Sequence, residues 1–79
     1  MITIKNFMYA VTGKIHPGQK IMVMNEDSEA HTVTADSGNA FDVAVPASST
    51  ATVTAPMKPG TYKFHCNIHS NMHGVLTVG

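Results

Sequence analysis

The residues of this chain with the clearest chemical potential lie in one short run. Cys66, His69 and Met72 follow one another at Cys-x2-His-x2-Met spacing, which brings a thiolate, an imidazole and a thioether together. Far upstream, His31 opens a segment with the pattern of a β-strand. Two histidines and one cysteine in a plane, with a weak axial methionine, form the ligand set of a blue-copper site. The spacing therefore predicts a copper centre built from His31, Cys66, His69 and Met72.

Other uses of these residues fit the sequence less well. A lone cysteine in a β protein is usually a small buried apolar residue, so the combination carries the prediction and no single residue does. Structural zinc sites favour several thiolates or several imidazoles, whereas one thiolate beside a thioether favours copper; zinc stays an alternative occupant. A catalytic Cys–His pair would lack a visible third residue to orient it, so we do not expect an enzyme. His73 is the alternative to Met72 as the fourth ligand.

The rest of the chain predicts β-structure throughout. Short β-branched segments alternate with Gly, Pro, Asn, Asp and Ser, which is typical of an all-β sandwich or barrel. The strand ending at Cys66 places Tyr62, Phe64 and Cys66 on its inward face and His65 on its outward face. The candidate strands are Ile2–Phe7, Gln19–Asn25, His31–Ala35, Phe41–Val45, Thr50–Ala55, Thr61–Cys66 and Val75–Val78, with a break at 36–39.

These elements must bring the four candidate ligands to one end of the molecule. A strand that ends at Cys66 and a strand that resumes at Gly74 are joined by a tight loop, which carries His69 and Met72. His31 has to arrive from a separate loop at the same end. Because both segments are anchored in sheets, the geometry is set before a metal binds. Such a site reorganises little between Cu(II) and Cu(I), which suits electron transfer.

Length, composition and charge limit the class of protein and the kinds of partner that it can have. The 79 residues predict one domain, 1–79. The single cysteine excludes an internal disulfide, so a bound metal ion is the remaining means of stabilising so small a domain. A formal net charge of zero argues against nucleic acid, because phosphate binding needs a basic surface. We expect no membrane span, since no apolar run approaches about 20 residues, and no signal peptide is visible. The acidic run Glu26, Asp27 and Glu29 is interpreted as a solvated turn, with docking at the copper end as the alternative.

Five segments together match the pattern of one protein family. They are Ile2–Phe7, Asn25–Ser28, His31–Thr34, Pro59–Tyr62 and, most specifically, His65–Gly74. With these segments the sequence resembles the cupredoxins, and within them the amicyanin and plastocyanin-like branch. The resemblance spans nearly the whole chain, and the two residues on each side of His69 give the ligand loop an amicyanin-like length.

The resemblance implies a fold and a function. The fold would be a Greek-key β-sandwich of about seven to eight short strands with copper at one end. His31, Cys66 and His69 would be the equatorial ligands and Met72 the axial one, with one copper ion per chain. The function would be that of a soluble, monomeric, periplasmic or otherwise exported one-electron carrier, which docks transiently with redox partner proteins near His69. A protein that buffers or delivers Cu(I) is the alternative, for which the six methionines offer a motive.

Two residues depart from the family pattern. Many members have asparagine after the first ligand histidine, where it braces the ligand loop; here Thr32 stands there, and its hydroxyl offers a similar cross-loop hydrogen bond. Ser70 replaces a common proline, which removes a stiffening ring and restores a backbone donor near the sulfur. Both changes bear on the reduction potential and leave the ligand set intact.

Overall fold

Eight β-strands form two four-stranded sheets in the computed structural model, which describes residues 1–36, 40–69 and 71–79. The strands are β1 Ile2–Lys5, β2 Met8–Val11, β3 Lys20–Asn25, β4 His31–Ala35, β5 Asp42–Val45, β6 Thr50–Thr54, β7 Gly60–His65 and β8 His73–Val78. One sheet has the order β2-β1-β3-β6 and the other β5-β4-β7-β8. The predicted all-β sandwich is confirmed. In the described part of the chain, no helix is long and apolar enough to cross a membrane.

The two sheets enclose one apolar core because their strands alternate between inward apolar and outward polar side chains. In β3, for example, Ile21 and Val23 are buried while Lys20 and Met22 are exposed. The same core cluster includes Cys66 and Met72. The largest apolar side chains buried in this core are Phe64, Ile2, Ile4, Ile21, Met72, Leu76, Val23, Val33 and Val45.

The strand β2 was not predicted from the sequence. The first strand ends at Lys5, because Asn6 and Phe7 adopt left-handed backbone conformations with φ of 53° and 60° and turn the chain back into β2. Lys5 then pairs with Met8 in antiparallel register. In the four residues of β2, Tyr9 and Val11 are half-buried whereas Met8 and Ala10 are exposed. An alternation this short and incomplete does not stand out in the sequence.

Two predictions fall outside the described residues. The break after β4 was assigned to 36–39, of which residues 37–39 are not described. The effect of Ser70 on the ligand loop also lies outside the described part of the chain. The last strand is described in full, and it begins at His73 and so precedes the predicted start at Val75.

The loop that joins β7 to β8 closes tightly at one end of the sandwich. His65 and His73 form the last pair of the β7–β8 register. Beyond them the N–H of Cys66 donates to the carbonyl of Met72 at 3.2 Å, and the N–H of Met72 donates to the carbonyl of His69 at 3.2 Å. Since β7 also pairs with β4, the loop lies beside the strand that carries His31.

Candidate metal centre

His31 and Cys66 meet inside the protein at the start of β4. The imidazole Nδ1 lies 3.8 Å from the Cys66 Sγ, and the two residues are 0% and 2% exposed. The other ring nitrogen, Nε2, lies 2.9 Å from Oδ2 of Asp27. An ionised carboxylate only accepts hydrogen bonds, so Nε2 carries a proton, and in the neutral ring Nδ1 presents its lone pair towards the sulfur. This is the tautomer that a metal ligand bound through Nδ1 requires.

The sulfur of Cys66 is surrounded by hydrogen-bond donors. The backbone N–H of Thr32 donates to Sγ at 3.3 Å. Burial by itself would raise the pKa of the thiol, but the backbone donor of Thr32, the His31 ring and the backbone of the following loop together outweigh it. The pKa of Cys66 is thereby lowered to about 7. A thiolate, the form that binds metal ions, is therefore accessible near neutral pH.

His69 and Met72 lie around this pair. The ring centroids of His31 and His69 are 4.9 Å apart, and the His69 side chain is 24% exposed. Its Nε2 lies 3.7 Å from Oε1 of Glu29 and has no hydrogen-bond partner among the described residues. Met72 is buried in the same apolar cluster as Cys66. All four predicted ligands are thus brought to one end of the sandwich.

Their arrangement is only partly preassembled. Within residues 1–36, 40–69 and 71–79, no three side chains of His, Cys, Asp or Glu form a ready group for one ion. The His31–Cys66 pair is in place, whereas His69 faces Glu29 through Nε2. The donor types still fit copper, because an imidazole nitrogen, a thiol of lowered pKa and a buried thioether are what this ion prefers. The ligand roles of the four residues therefore stay proposals.

Thr32 braces the ligand loop as the sequence predicted. Its Oγ1 accepts a hydrogen bond from the backbone N–H of Asn67 at 2.8 Å, which ties β4 to the loop after Cys66. Its carbonyl accepts a hydrogen bond from the Tyr9 hydroxyl at 2.5 Å. Burial raises the pKa of Tyr9 above its usual range. Tyr9 was missed because it lies on the unpredicted strand β2.

Phe7 and Asp27 are further parts of the site that sequence reasoning missed. The Phe7 ring packs edge-on against both imidazoles, with centroid distances of 5.1 Å to His31 and 4.8 Å to His69. Asp27 was interpreted as part of a solvated turn, but its side chain is 11% exposed and fully engaged. The hydrogen bonds from the backbone of Phe7 and then of Asn6 hold the pKa of Asp27 below its usual value. The solvated interpretation does fit Glu26, which is exposed.

Asn25 organises the turn that carries Asp27. It is 1% exposed, and its side-chain amide donates to the carbonyls of Glu29, Val45 and Pro46 at 2.9, 3.1 and 3.2 Å. Its Oδ1 accepts from the Asp27 N–H at 2.9 Å. An asparagine at the end of a strand was the available signal, since such residues favour side-chain bonds to nearby backbone.

The remaining histidines near the site point elsewhere. His65 faces outwards as predicted, with Nδ1 2.6 Å from Oδ1 of Asp36 and Nε2 2.9 Å from Oδ1 of Asn67. The hydrogen bond to Asp36 raises the pKa of His65. His73 is exposed whereas Met72 is buried, which favours Met72 over His73 as the fourth ligand.

Comparison with known proteins identifies one family and a group of solved structures. The model of the Cupredoxin-like domain matches residues 2–78. Amicyanin from Paracoccus versutus (Thiobacillus versutus) superposes with a TM-score of 0.78 at 19% identity, over 99% of this chain and 78% of that one. A variant amicyanin in its reduced Cu(I) form at pH 4 gives 0.76 at 23% identity, over 99% of this chain and 79% of that one. A search of curated proteins finds no match. At these identities the likeness to amicyanin is one of fold.

Proposed function

Because the chain belongs to the cupredoxin-like family, we propose that it is a type 1 (blue) copper protein that carries single electrons between redox partner proteins. His31, Cys66 and His69 are the proposed equatorial ligands and Met72 the axial one, with one copper ion per chain. The observation that carries the proposal is the buried His31 Nδ1 3.8 Å from a thiol of lowered pKa. When bound, copper supplies the Cu(II)/Cu(I) couple.

The protein contributes a rigid and water-poor setting for this couple. His31 begins β4 and Cys66 directly follows β7 in the same sheet, and the Thr32 hydroxyl fixes the loop between Cys66 and Met72. The Thr32 N–H donates to the sulfur, and such hydrogen bonds tune the electron density of a metal ligand. A donor set that moves little on a change of oxidation state keeps the barrier to electron transfer low.

The partners exchange electrons through the exposed edge of His69. Its side chain is 24% exposed and lies beside two exposed apolar residues, Phe7 and Ile68, at 42% and 55%. A small apolar surface of this kind suits transient docking with redox partner proteins. We propose accordingly that the chain acts as a monomeric carrier rather than an enzyme, forms one domain over residues 1–79, and works in the periplasm or another exported location.

The test is a visible absorption and EPR spectrum of the metal-free protein after one equivalent of Cu(II). We expect an intense blue colour with a narrow copper hyperfine splitting, because a thiolate–copper bond gives both. Cys66→Ser should abolish the colour. A pale spectrum with ordinary tetragonal copper in the unsubstituted protein would overturn the proposal.

A further inference from the structure

A single carboxylate, that of Asp27, joins the β1–β2 turn to the buried histidine. Its Oδ1 accepts from the backbone N–H of Asn6 at 2.7 Å, and its Oδ2 accepts from the backbone N–H of Phe7 at 2.9 Å. The same Oδ2 lies 2.9 Å from Nε2 of His31. Two oxygens thus serve three donors that come from two separate segments of the chain.

The turn that Asp27 holds is conformationally unfavourable. Asn6 and Phe7 both have positive φ, at 53° and 60°, and a bulky aromatic residue is a rare occupant of that region. Backbone conformations of this kind persist only where the surroundings impose them. Here the carboxylate takes both consecutive N–H groups of the turn. The conformation of this turn then sets the direction of the Phe7 side chain.

The consequence for the site is the placement of the Phe7 ring. Its plane stands at 81° to the His31 ring and at 79° to the His69 ring, so that it contacts both imidazoles edge-on. Phe7 is 42% exposed, so its ring packs against the imidazole pair while part of the side chain faces solvent. The carboxylate that fixes the ring of His31 therefore also fixes the aromatic cover over both histidines.

We propose that Asp27 is a positioning residue of the copper centre, acting on His31 directly and on the His31–His69 pair through Phe7. For copper, this inference rests on the function proposed above; for the histidine tautomer and the turn, it rests on hydrogen-bond geometry alone. Carboxylates that orient a ligand histidine typically change metal affinity by about 10- to 100-fold when they are replaced. We expect a loss of that size for Asp27.

An isosteric amide separates this role from mere space-filling. Asparagine at position 27 has one acceptor oxygen and one NH2 group, so in either orientation at least one of the three donors meets another donor. The backbone of Asp27 is held independently, since its N–H donates to Asn25 Oδ1 at 2.9 Å and its carbonyl accepts from the Ser48 N–H at 3.0 Å. Asp27→Asn therefore changes the side-chain bonds with little reason for the backbone to move.

The first experiment uses the metal-free protein. Nitrogen-15 NMR of the histidine rings should show His31 as the Nε2–H tautomer, and the Asn6 and Phe7 amides should exchange slowly with solvent. In Asp27→Asn we expect a mixed His31 tautomer or faster exchange of one of these amides. Glu26→Gln, which removes a neighbouring exposed carboxylate, should match the unsubstituted protein. Identical spectra for Asp27→Asn and the unsubstituted protein would overturn the inference.

The second experiment measures Cu(I) affinity by competition with a chelator. Asp27→Asn should bind Cu(I) about 10- to 100-fold more weakly than Glu26→Gln, and its Cu(II) form should have a perturbed blue spectrum. An unsubstituted protein whose Cu(II) form lacks a thiolate–copper band would refute the proposed function, while the metal-free result would still decide the positioning role. A blue unsubstituted protein with unchanged affinity in Asp27→Asn would instead refute the positioning role alone.

A third variant approaches the same arrangement from the aromatic side and covers the case in which Asp27→Asn fails to fold. Phe7→Leu keeps an apolar side chain on the turn and removes the ring. We expect the His31 tautomer to be retained and the release of Cu(I) to the chelator to be faster. An unchanged release rate would show that the ring does not cover the site.

Discussion

At the scale of single residues, the environment of the sulfur depends on Thr32 more than on any other neighbour. Its N–H donates to Cys66 Sγ, its hydroxyl accepts from the N–H of Asn67, and its carbonyl accepts from Tyr9. One residue thereby connects both sheets to the ligand loop. The hydroxyl contact was predictable from the sequence because the family pattern assigns a bracing residue to that position. The contact with Tyr9 was not, because it needs the position of β2.

The proposed axial role of Met72 gives the first prediction. Met72→Leu keeps a buried apolar side chain of similar size, so the fold and the blue colour should persist. The reduction potential should rise, because a weak donor that favours Cu(II) is lost. Protein-film voltammetry measures the change, and Met22→Leu, at a methionine 53% exposed on β3, is the matched control. An unchanged potential in Met72→Leu would make His73 the next axial candidate.

The contact between His65 and Asp36 gives a prediction about pH. The carboxylate raises the pKa of His65 above its ordinary value of about 6.5, so the protonated ring favours the folded state. This contribution is fully present below the unfolded pKa and is lost as the pH rises through the folded pKa. An NMR titration of His65 should show the raised pKa, and Asp36→Asn should lower it. Asp42→Asn, which removes a nearby carboxylate bonded to Thr34, should leave it raised.

At the scale of elements, the turn between β3 and β4 is the part that places the site. Asn25 ends β3, bonds to three carbonyls, and holds the N–H of Asp27, from which the carboxylate reaches His31. The sequence predicted the turn and its delivery of the chain to His31. It could not predict the hydrogen bonds of the Asp27 carboxylate to the β1–β2 turn, because these depend on the left-handed conformations of Asn6 and Phe7. No side-chain pattern signals those conformations.

Removal of the Asn25 side chain should therefore destabilise the protein. Asn25→Ala leaves buried carbonyl groups without their donor, which costs about 1–3 kcal/mol in the free energy of unfolding. Urea denaturation of the metal-free protein measures this loss. Ser28→Ala, an exposed residue of the same turn, should stay within about 0.5 kcal/mol of the unsubstituted protein. Equal stabilities for the two variants would contradict the role assigned to Asn25.

At the scale of the whole molecule, the proposed ligands connect distant parts of a small sandwich. His31 and Cys66 are 35 positions apart in sequence, yet His31 begins β4 and Cys66 directly follows β7, the neighbouring strand of the same sheet. The sequence predicted this meeting because strand alternation and the ligand types agree on one end of the fold. The sheet orders and the parallel pairing of β1 with β3 depend on the long-range packing of all eight strands, which local patterns do not reveal.

Copper should consequently stabilise the whole fold. An ion that binds only the folded chain adds about 4 kcal/mol to the free energy of unfolding when its free concentration is about 1,000 times the dissociation constant. Thermal unfolding with and without copper measures this gain, and a chelator should reverse it. Cys66→Ser should show a much smaller gain. A gain of equal size in Cys66→Ser would mean that copper binds elsewhere.

The position of the thiol also determines when the proposed copper site can first exist during synthesis. A ribosome delivers His31 and all of β1 to β6 before the single cysteine, and β8 is needed to complete the sheet against β7. A growing chain therefore offers isolated imidazoles but no thiolate, and it has no assembled cleft that would trap the wrong ion. Loading of the proposed site is therefore expected only after the whole chain has been made and folded.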